Sequence, residues 1–267
     1  MEMRGLMGGL YKISEWIMRL AVTNVLWIVC SIPFVFLIFP IMVAKTTDEI
    51  ISSLILSSIV APFTLFPATA AMFAVARKWV MGEVDAPLLR TFFRNYKDSY
   101  VQSMIGGILY VLIFAILIVD FQVYLKQLHS MQIFSYLFIA IMALLSVSLF
   151  NFFSMVVHYH MKTLQLLKNA ILITIGRPLR SISTAVMCGL VVYISFSSAK
   201  LMFLVPFFTG SIVAAIAFWN FYGIYMKLQQ QAEKAAEEAE ADAADQALLE
   251  GEVIGAPQDS QRGGSNK

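Results

Sequence analysis

The chain has 267 residues, 59% of them hydrophobic and only 13% charged, with a mean hydropathy of +0.76. A soluble domain carries about 45–50% apolar and about 25% charged residues, so these proportions exclude an ordinary soluble enzyme and point to lipid as the solvent. The formal net charge of +2 is uneven: nine of the 17 acidic residues lie beyond Leu228, leaving 16 basic and 8 acidic residues before it. Such a basic apolar body suits a membrane face beside anionic lipid and gives no reason to expect nucleic acid.

At the N-terminus, Leu6, Leu10, Ile13, Ile17 and Leu20 recur at helical steps while Lys12, Glu15 and Arg19 line another face. The pattern predicts an amphipathic interfacial helix over residues 1–20, and no short apolar core with a cleavage site marks a signal peptide. Crossing ~30 Å of hydrocarbon takes about 20 apolar residues. Six stretches qualify: Ala21–Val43, Ile50–Ala76, Val101–Leu125, Gln132–Val157, Ile182–Ser198 and Leu201–Met226. Only Ala199 and Lys200 part the last two, so a re-entrant hairpin is the alternative there. The expected fold is all-α, a polytopic bundle of about six spans over residues 21–228.

Threading the chain through these spans puts 16 of the 19 Lys and Arg residues on one side, leaving Lys45, Lys126 and Lys200 on the other. That bias orients a plasma-membrane protein with both termini in the cytoplasm. Two inner connections look ordered. Residues 87–97 mix Leu88, Leu89, Phe92 and Phe93 with Arg90, Arg94 and Lys97, as a membrane-surface helix would. Residues 158–180 hold an apolar run, then Gly176-Arg177-Pro178, which predicts a partly embedded helix, a stop and a restart. Arg90, Phe92, Phe93, Arg94, Lys97, Lys168, Arg177 and Arg180 are therefore the candidate cytoplasmic contact residues. Each connection joins a descending to an ascending helix, which hints at duplicated hairpins. Residues 229–267 form an acidic tail, Ala- and Glu-rich and helical at first, with a disorder-prone composition from Gly251.

Polar residues inside spans are the usual functional suspects. Asn24, Asn151 and Asn220 fall near the inner ends of the first, fourth and sixth spans; side-chain amides commonly make interhelical hydrogen bonds there, and the sharper alternative is one shared cluster, holding helices together or lining an inward cavity. Asp120 and Lys200 sit near outer ends, where they reach headgroups. His158 and His160 point to different helix faces, His129 stands alone, and Cys30 and Cys188 lie far apart, so no metal or cofactor is expected. No Walker A, GxSxG, HExxH or dinucleotide fingerprint occurs, and no catalytic residue is assigned.

Several segments resemble YesL-like integral membrane proteins of Gram-positive bacteria: residues 11–20, Asn24-Val25-Leu26-Trp27, Pro33, Phe66 to Val75, Arg77-Lys78-Trp79, Asn151-Phe152-Phe153, Lys168-Asn169-Ala170 and Gly176 to Arg180. The resemblance covers roughly Gly5 to Lys227. It implies a plasma-membrane protein without an assigned activity, and no catalytic or ligand residues to carry over. YesL-like proteins are typically encoded beside carbohydrate uptake systems and sugar-degrading enzymes, which implies an accessory role whose partners are sugar ABC-transporter subunits or a sensor kinase. An ABC permease proper is not implied, because residues 169–180 lack the EAA-type loop. The alternative is a small-solute transporter or channel in its own right, with the absence of buried charge pairs against it.

Overall fold

The computed structural model describes residues 6–126 and 132–254. Among the described residues every regular element is helical, and six helices are long and apolar enough to cross a membrane. The chain divides into two compact units, Met1–Tyr222 and Gly223–Lys267.

Helix α1 (Leu6–Cys30) is followed by the short α2 (Ile32–Ile38) and a 3-10 turn (Phe39–Met42). No residue near Leu20 interrupts the helix, so the segment read as an interfacial helix feeding into the first span is continuous with it. The far end departs from expectation. The break falls at Ser31, where Pro33 in the first turn of α2 lacks the N–H that a continuous helix would use. The expected stretch Ala21–Val43 is thus divided between α1 and the shorter apolar helix Ile32–Met42.

Helix α3 (Thr47–Val80) starts on a built cap: Thr46 accepts the Glu49 N–H, and the Glu49 carboxylate accepts the Lys45 N–H. Asp48 and Glu49 at its start and Arg77 and Lys78 at its end match the helix dipole. Between Phe66 and Ala76 nearly every side chain is buried, so α3 is the axis of the first unit, touching α1, α2 and three helices that follow. A helix buried all round has no polar face to spare, which explains the run of alanines at 68, 70, 71, 74 and 76.

Two similar units follow. Helix α3 turns back through α4 (Leu88–Asp98) into α5 (Tyr100–Lys126), and α6 (Ile133–His158) turns back through α7 (Thr163–Gly176) into α8 (Pro178–Phe196). The stop at Gly176 and restart on Pro178 lie where the Gly-Arg-Pro spacing predicts them. A π-helical turn, Val205–Thr209, then leads into α9 (Gly210–Ile254). The last two apolar stretches are thus separate helices, each long enough to span. Pro206 removes one N–H from that turn, which delays the regular helix beyond the expected start at Leu201.

Rings knit the helices of the first unit. Phe73 meets Phe150 and Phe153, Phe66 meets Phe153, and Tyr110 meets Phe152, with centroids 5.4–6.5 Å apart. Gly106 and Gly107 let α5 come close: a Cβ on Gly106 would collide with the Phe152 ring, and one on Gly107 would lie 2.7 Å from Phe66. In the second unit, side chains 226–241 are all exposed, and residues 255–267 and His129 lie outside the described residues.

Candidate functional site

The candidate contact residues of the first connection form one surface. Helix α4 buries Phe92 completely and exposes Leu89, Arg90, Phe93, Arg94 and Lys97, which line a shallow surface hollow. Its apolar side explains the burial, and Arg94 has only a long ion pair to Asp98, at 3.7 Å. Burial pushes the Tyr96 hydroxyl above its usual 10, with Cys30 and Tyr100 adding to the effect. In the second connection Lys168 is exposed, while Arg177 and Arg180 are half-buried at the α7–α8 corner. The structure does not gather the two sets on one helix: α4 carries five of the eight candidates and the α7–α8 corner three.

The three asparagines are buried, and each serves a different junction. Asn24 donates to the Val205 and Pro206 carbonyls at 3.0 and 2.8 Å and accepts the Ser211 N–H at 3.0 Å. Its amide thus satisfies the backbone of the π-helical turn. Asn151 donates to Thr174 Oγ1 at 2.9 Å, tying α6 to α7. Asn220 donates to the Ile216 carbonyl and accepts from Ser183 Oγ at 3.5 Å, joining α9 to α8. They share no hydrogen-bond partner, and each bonds at its own helix junction. Nine residues of helix, about 13 Å of rise, separate Ser211 from Asn220.

In the first unit, α1, α3, α6, α8 and the start of α9 line a half-open cavity of about 290 Å³. Trp27, Phe66, Phe73, Phe150 and Phe153 give it an aromatic wall, closed by Val192, Val213 and Ala214. Its hydroxyls are engaged: Thr69 accepts the Trp27 indole N–H at 3.0 Å and donates to the Leu65 carbonyl, and Thr209 is 2.7 Å from Ser195 Oγ. What remains is an apolar surface suited to hydrocarbon.

Arg19 Nη1, Thr23 Oγ1 and Arg77 Nε are buried polar atoms without a hydrogen-bond partner. Arg19 Nη2 is held by Glu15 and, at 3.4 Å, by Asp85. Sequence reasoning counted Arg19 and Arg77 only among the inner positive charges and passed over Thr23. His158, read as pointing to a different helix face from His160, packs its ring against Phe218, Phe221 and Tyr222.

Comparison with known proteins places the chain. It is 29% identical over 237 residues to an uncharacterized protein, YteU, of Bacillus subtilis strain 168, covering 86% of this chain and 91% of YteU. It is 27% identical over 231 residues to uncharacterized YesL of the same organism, covering 85% and 94%. The chain is thus similar over most of its length to YesL-like proteins of unknown function. The family described as a protein of unknown function, DUF624, matches residues 20–121, from late α1 through most of α5. A third relative, YesV, also uncharacterized and from the same organism, is 28% identical over 144 residues, covering 53% of this chain and 67% of YesV. No solved structure matches. The family match includes Trp27, Phe66, Thr69 and Phe73, four residues that line the cavity.

Proposed function

We propose that this YesL-like protein is a non-enzymatic accessory or regulatory component linked to carbohydrate uptake, set in the plasma membrane with both termini in the cytoplasm. The orientation rests on the 16-to-3 distribution of Lys and Arg. The start of α1 would lie at the inner leaflet and the acidic tail in the cytoplasm. The carbohydrate link rests on the family resemblance alone.

The observation that carries the docking role is the exposed face of α4. Arginine and aromatic side chains presented together, on a helix already anchored by buried Phe92, are the usual composition of a contact surface. The partner would be a sugar ABC-transporter subunit or a sensor kinase, meeting Arg90, Arg94 and Lys97 with acidic groups. The transporter alternative is less well served. The cavity has an apolar wall and hydroxyls already bonded, so it offers a hydrophilic solute little to hold.

The test is made in the native host at native expression. The triple variant Arg90→Glu, Arg94→Glu, Lys97→Glu should lose co-purifying transporter or kinase subunits and reduce uptake of the inducing carbohydrate to the level of a deletion strain, with membrane abundance unchanged. A deletion that alters neither uptake nor the associated gene response would end this reading.

A further inference from the structure

We propose that the half-open cavity of the first unit binds one hydrocarbon chain of a membrane lipid, which enters sideways from the bilayer past Val192 of α8. The proposal is independent of the partner docking on α4.

Helix α8 shows where the cavity opens. Its buried positions Ser181, Thr184, Cys188 and Ser195 recur at helical steps and mark the face turned to the protein. Val192 lies four residues from Cys188 and three from Ser195, hence beside them, yet it is 42% exposed where they are 3% and 2%. It also lines the cavity, so the space that leaves it exposed is the cavity's mouth. Leu65 of α3 and Leu149 and Phe150 of α6, all half-buried, line the same space. Leu65 is close to the midpoint of α3 (Thr47–Val80), and Leu149 lies well inside α6 (Ile133–His158). Leu190 and Tyr193 of α8 are exposed along a helix of membrane length, as lipid-facing residues are. The mouth therefore faces hydrocarbon and not water.

The walls are fixed by hydrogen bonds. Trp27 and Thr69 join α1 to α3 at 3.0 Å, Thr209 and Ser195 join the π-helical turn to α8 at 2.7 Å, and the Asn24 amide fastens the same turn to α1. Trp27, Thr69, Val205 and Thr209 all line the cavity, so these bonds frame it. Closing the space would strain buried bonds that no water replaces, which resists the collapse that fills most voids. The same bonds occupy the hydroxyls, and water enters a cavity only where polar partners receive it. An apolar occupant remains, and an apolar cavity of about 150 Å³ already takes up benzene. This one, at about 290 Å³, has room for a stretch of chain. Its lining runs along α3 from Leu65 to Phe73, about 12 Å of rise, so a chain can lie along it. Lipid tails are as apolar as the lining, so the gain on binding is van der Waals contact with Trp27, Phe66, Phe73, Phe150 and Phe153, rings that would otherwise face a void. At the mouth the bilayer itself supplies that occupant, which is why a lipid chain is assigned and not a separate small molecule.

The test uses the full-length protein in liposomes of phosphatidylcholine that carries a photoreactive diazirine near the end of one acyl chain. After illumination, peptide mass spectrometry locates the label. Met72, Phe73 and Ala214 line the cavity and are buried, so lipid that only surrounds the protein does not reach them. At least one of the three should be labelled, together with the lipid-facing Val186 and Leu190. Ala214→Phe, which fills the cavity, should remove the label from Met72 and Phe73 and leave that on Val186 unchanged. If that variant does not fold, the map of the unaltered protein still decides the outcome. Label confined to exposed residues would overturn the proposal. A short photoreactive alkane that labels the three buried residues where the acyl probe does not would reveal a space closed to lipid chains, and would also overturn it.

Discussion

The units α3–α4–α5 and α6–α7–α8 follow the same path with opposite chemistry. In each, a long helix descends, a short helix turns back along it, and a second long helix continues from the short one. Each also contains a proline whose missing N–H frees a carbonyl four residues earlier. In the first, Pro67 frees the Phe63 carbonyl, which accepts the Tyr100 hydroxyl at 3.1 Å. In the second, Pro178 frees the Thr174 carbonyl, which accepts Ser181 Oγ at 2.8 Å. Membrane helices tolerate proline when a side chain takes over the freed group, and here both hydroxyls come from the start of the ascending helix. The units differ in the short helix. Helix α4 is charged and exposes three basic side chains, whereas α7 is apolar and is tied to α6 by the Asn151–Thr174 bond. The exposed face of α4 is largely basic, whereas that of α7 is largely apolar, with Leu164, Leu172 and Ile175.

The sharpest contrast lies in the glycines of the two ascending helices. A Cβ on Gly106 of α5 would strike three atoms of the Phe152 ring, while one on Gly189 of α8 would meet nothing within 4 Å. Gly106→Ala should therefore cost about 1–3 kcal/mol of overpacking, offset little by helix propensity. Gly189→Ala should be neutral or stabilise by up to about 1 kcal/mol, because alanine suits a helix interior better. Thermal unfolding of purified protein in detergent decides this. Equal effects would mean that the two ascending helices pack alike.

The corner of the second unit comes next in size. Ser181→Ala leaves the buried Thr174 carbonyl without its hydroxyl and should cost about 1–2 kcal/mol. Adding Pro178→Ala restores a backbone N–H near that carbonyl, so the double variant should regain part of the loss. If the two losses simply add, Ser181 does not serve the carbonyl that Pro178 frees. Asn151→Ala should cost less, about 0.6 kcal/mol, the average for side-chain bonds between membrane helices. The readout for both is the unfolding midpoint, and an N151A loss above that of S181A would reverse their ranking.

What could be read from the chain follows from which forces are local. Apolar length is additive along a sequence, so six membrane-length helices, the α4 segment and the Gly176–Pro178 break were all legible. The first boundary was not, because hydropathy runs on past Ser31 while the helix does not, and only Pro33 marks the difference. The asparagines were legible as interhelical hydrogen-bonding groups but not in their partners, which depend on what lies nearby in space. For Asn24 the partner is a π-helical turn 181 residues away in sequence. The Trp27–Thr69 bond between α1 and α3 was hidden for the same reason, since register is a property of pairs of helices.

The smallest expected effect tests the outward-facing side of the comparison. Arg90, Arg94 and Lys97 are exposed, and the one ion pair among them is 3.7 Å long. Neutralising all three with glutamine should change thermal stability by less than about 0.5 kcal/mol, as exposed charges usually do. Phe92→Ala on the same helix should cost about 3–5 kcal/mol, because that ring is fully buried. A large loss from the glutamine triple variant would mean that the basic face is held by the rest of the chain, leaving it unable to serve a partner. A negligible loss, combined with the loss of co-purifying subunits expected for the glutamate variant, would separate what anchors α4 from what α4 presents. That separation is the difference between the two short helices, since the face that α7 exposes carries one basic side chain, Lys168, among apolar ones.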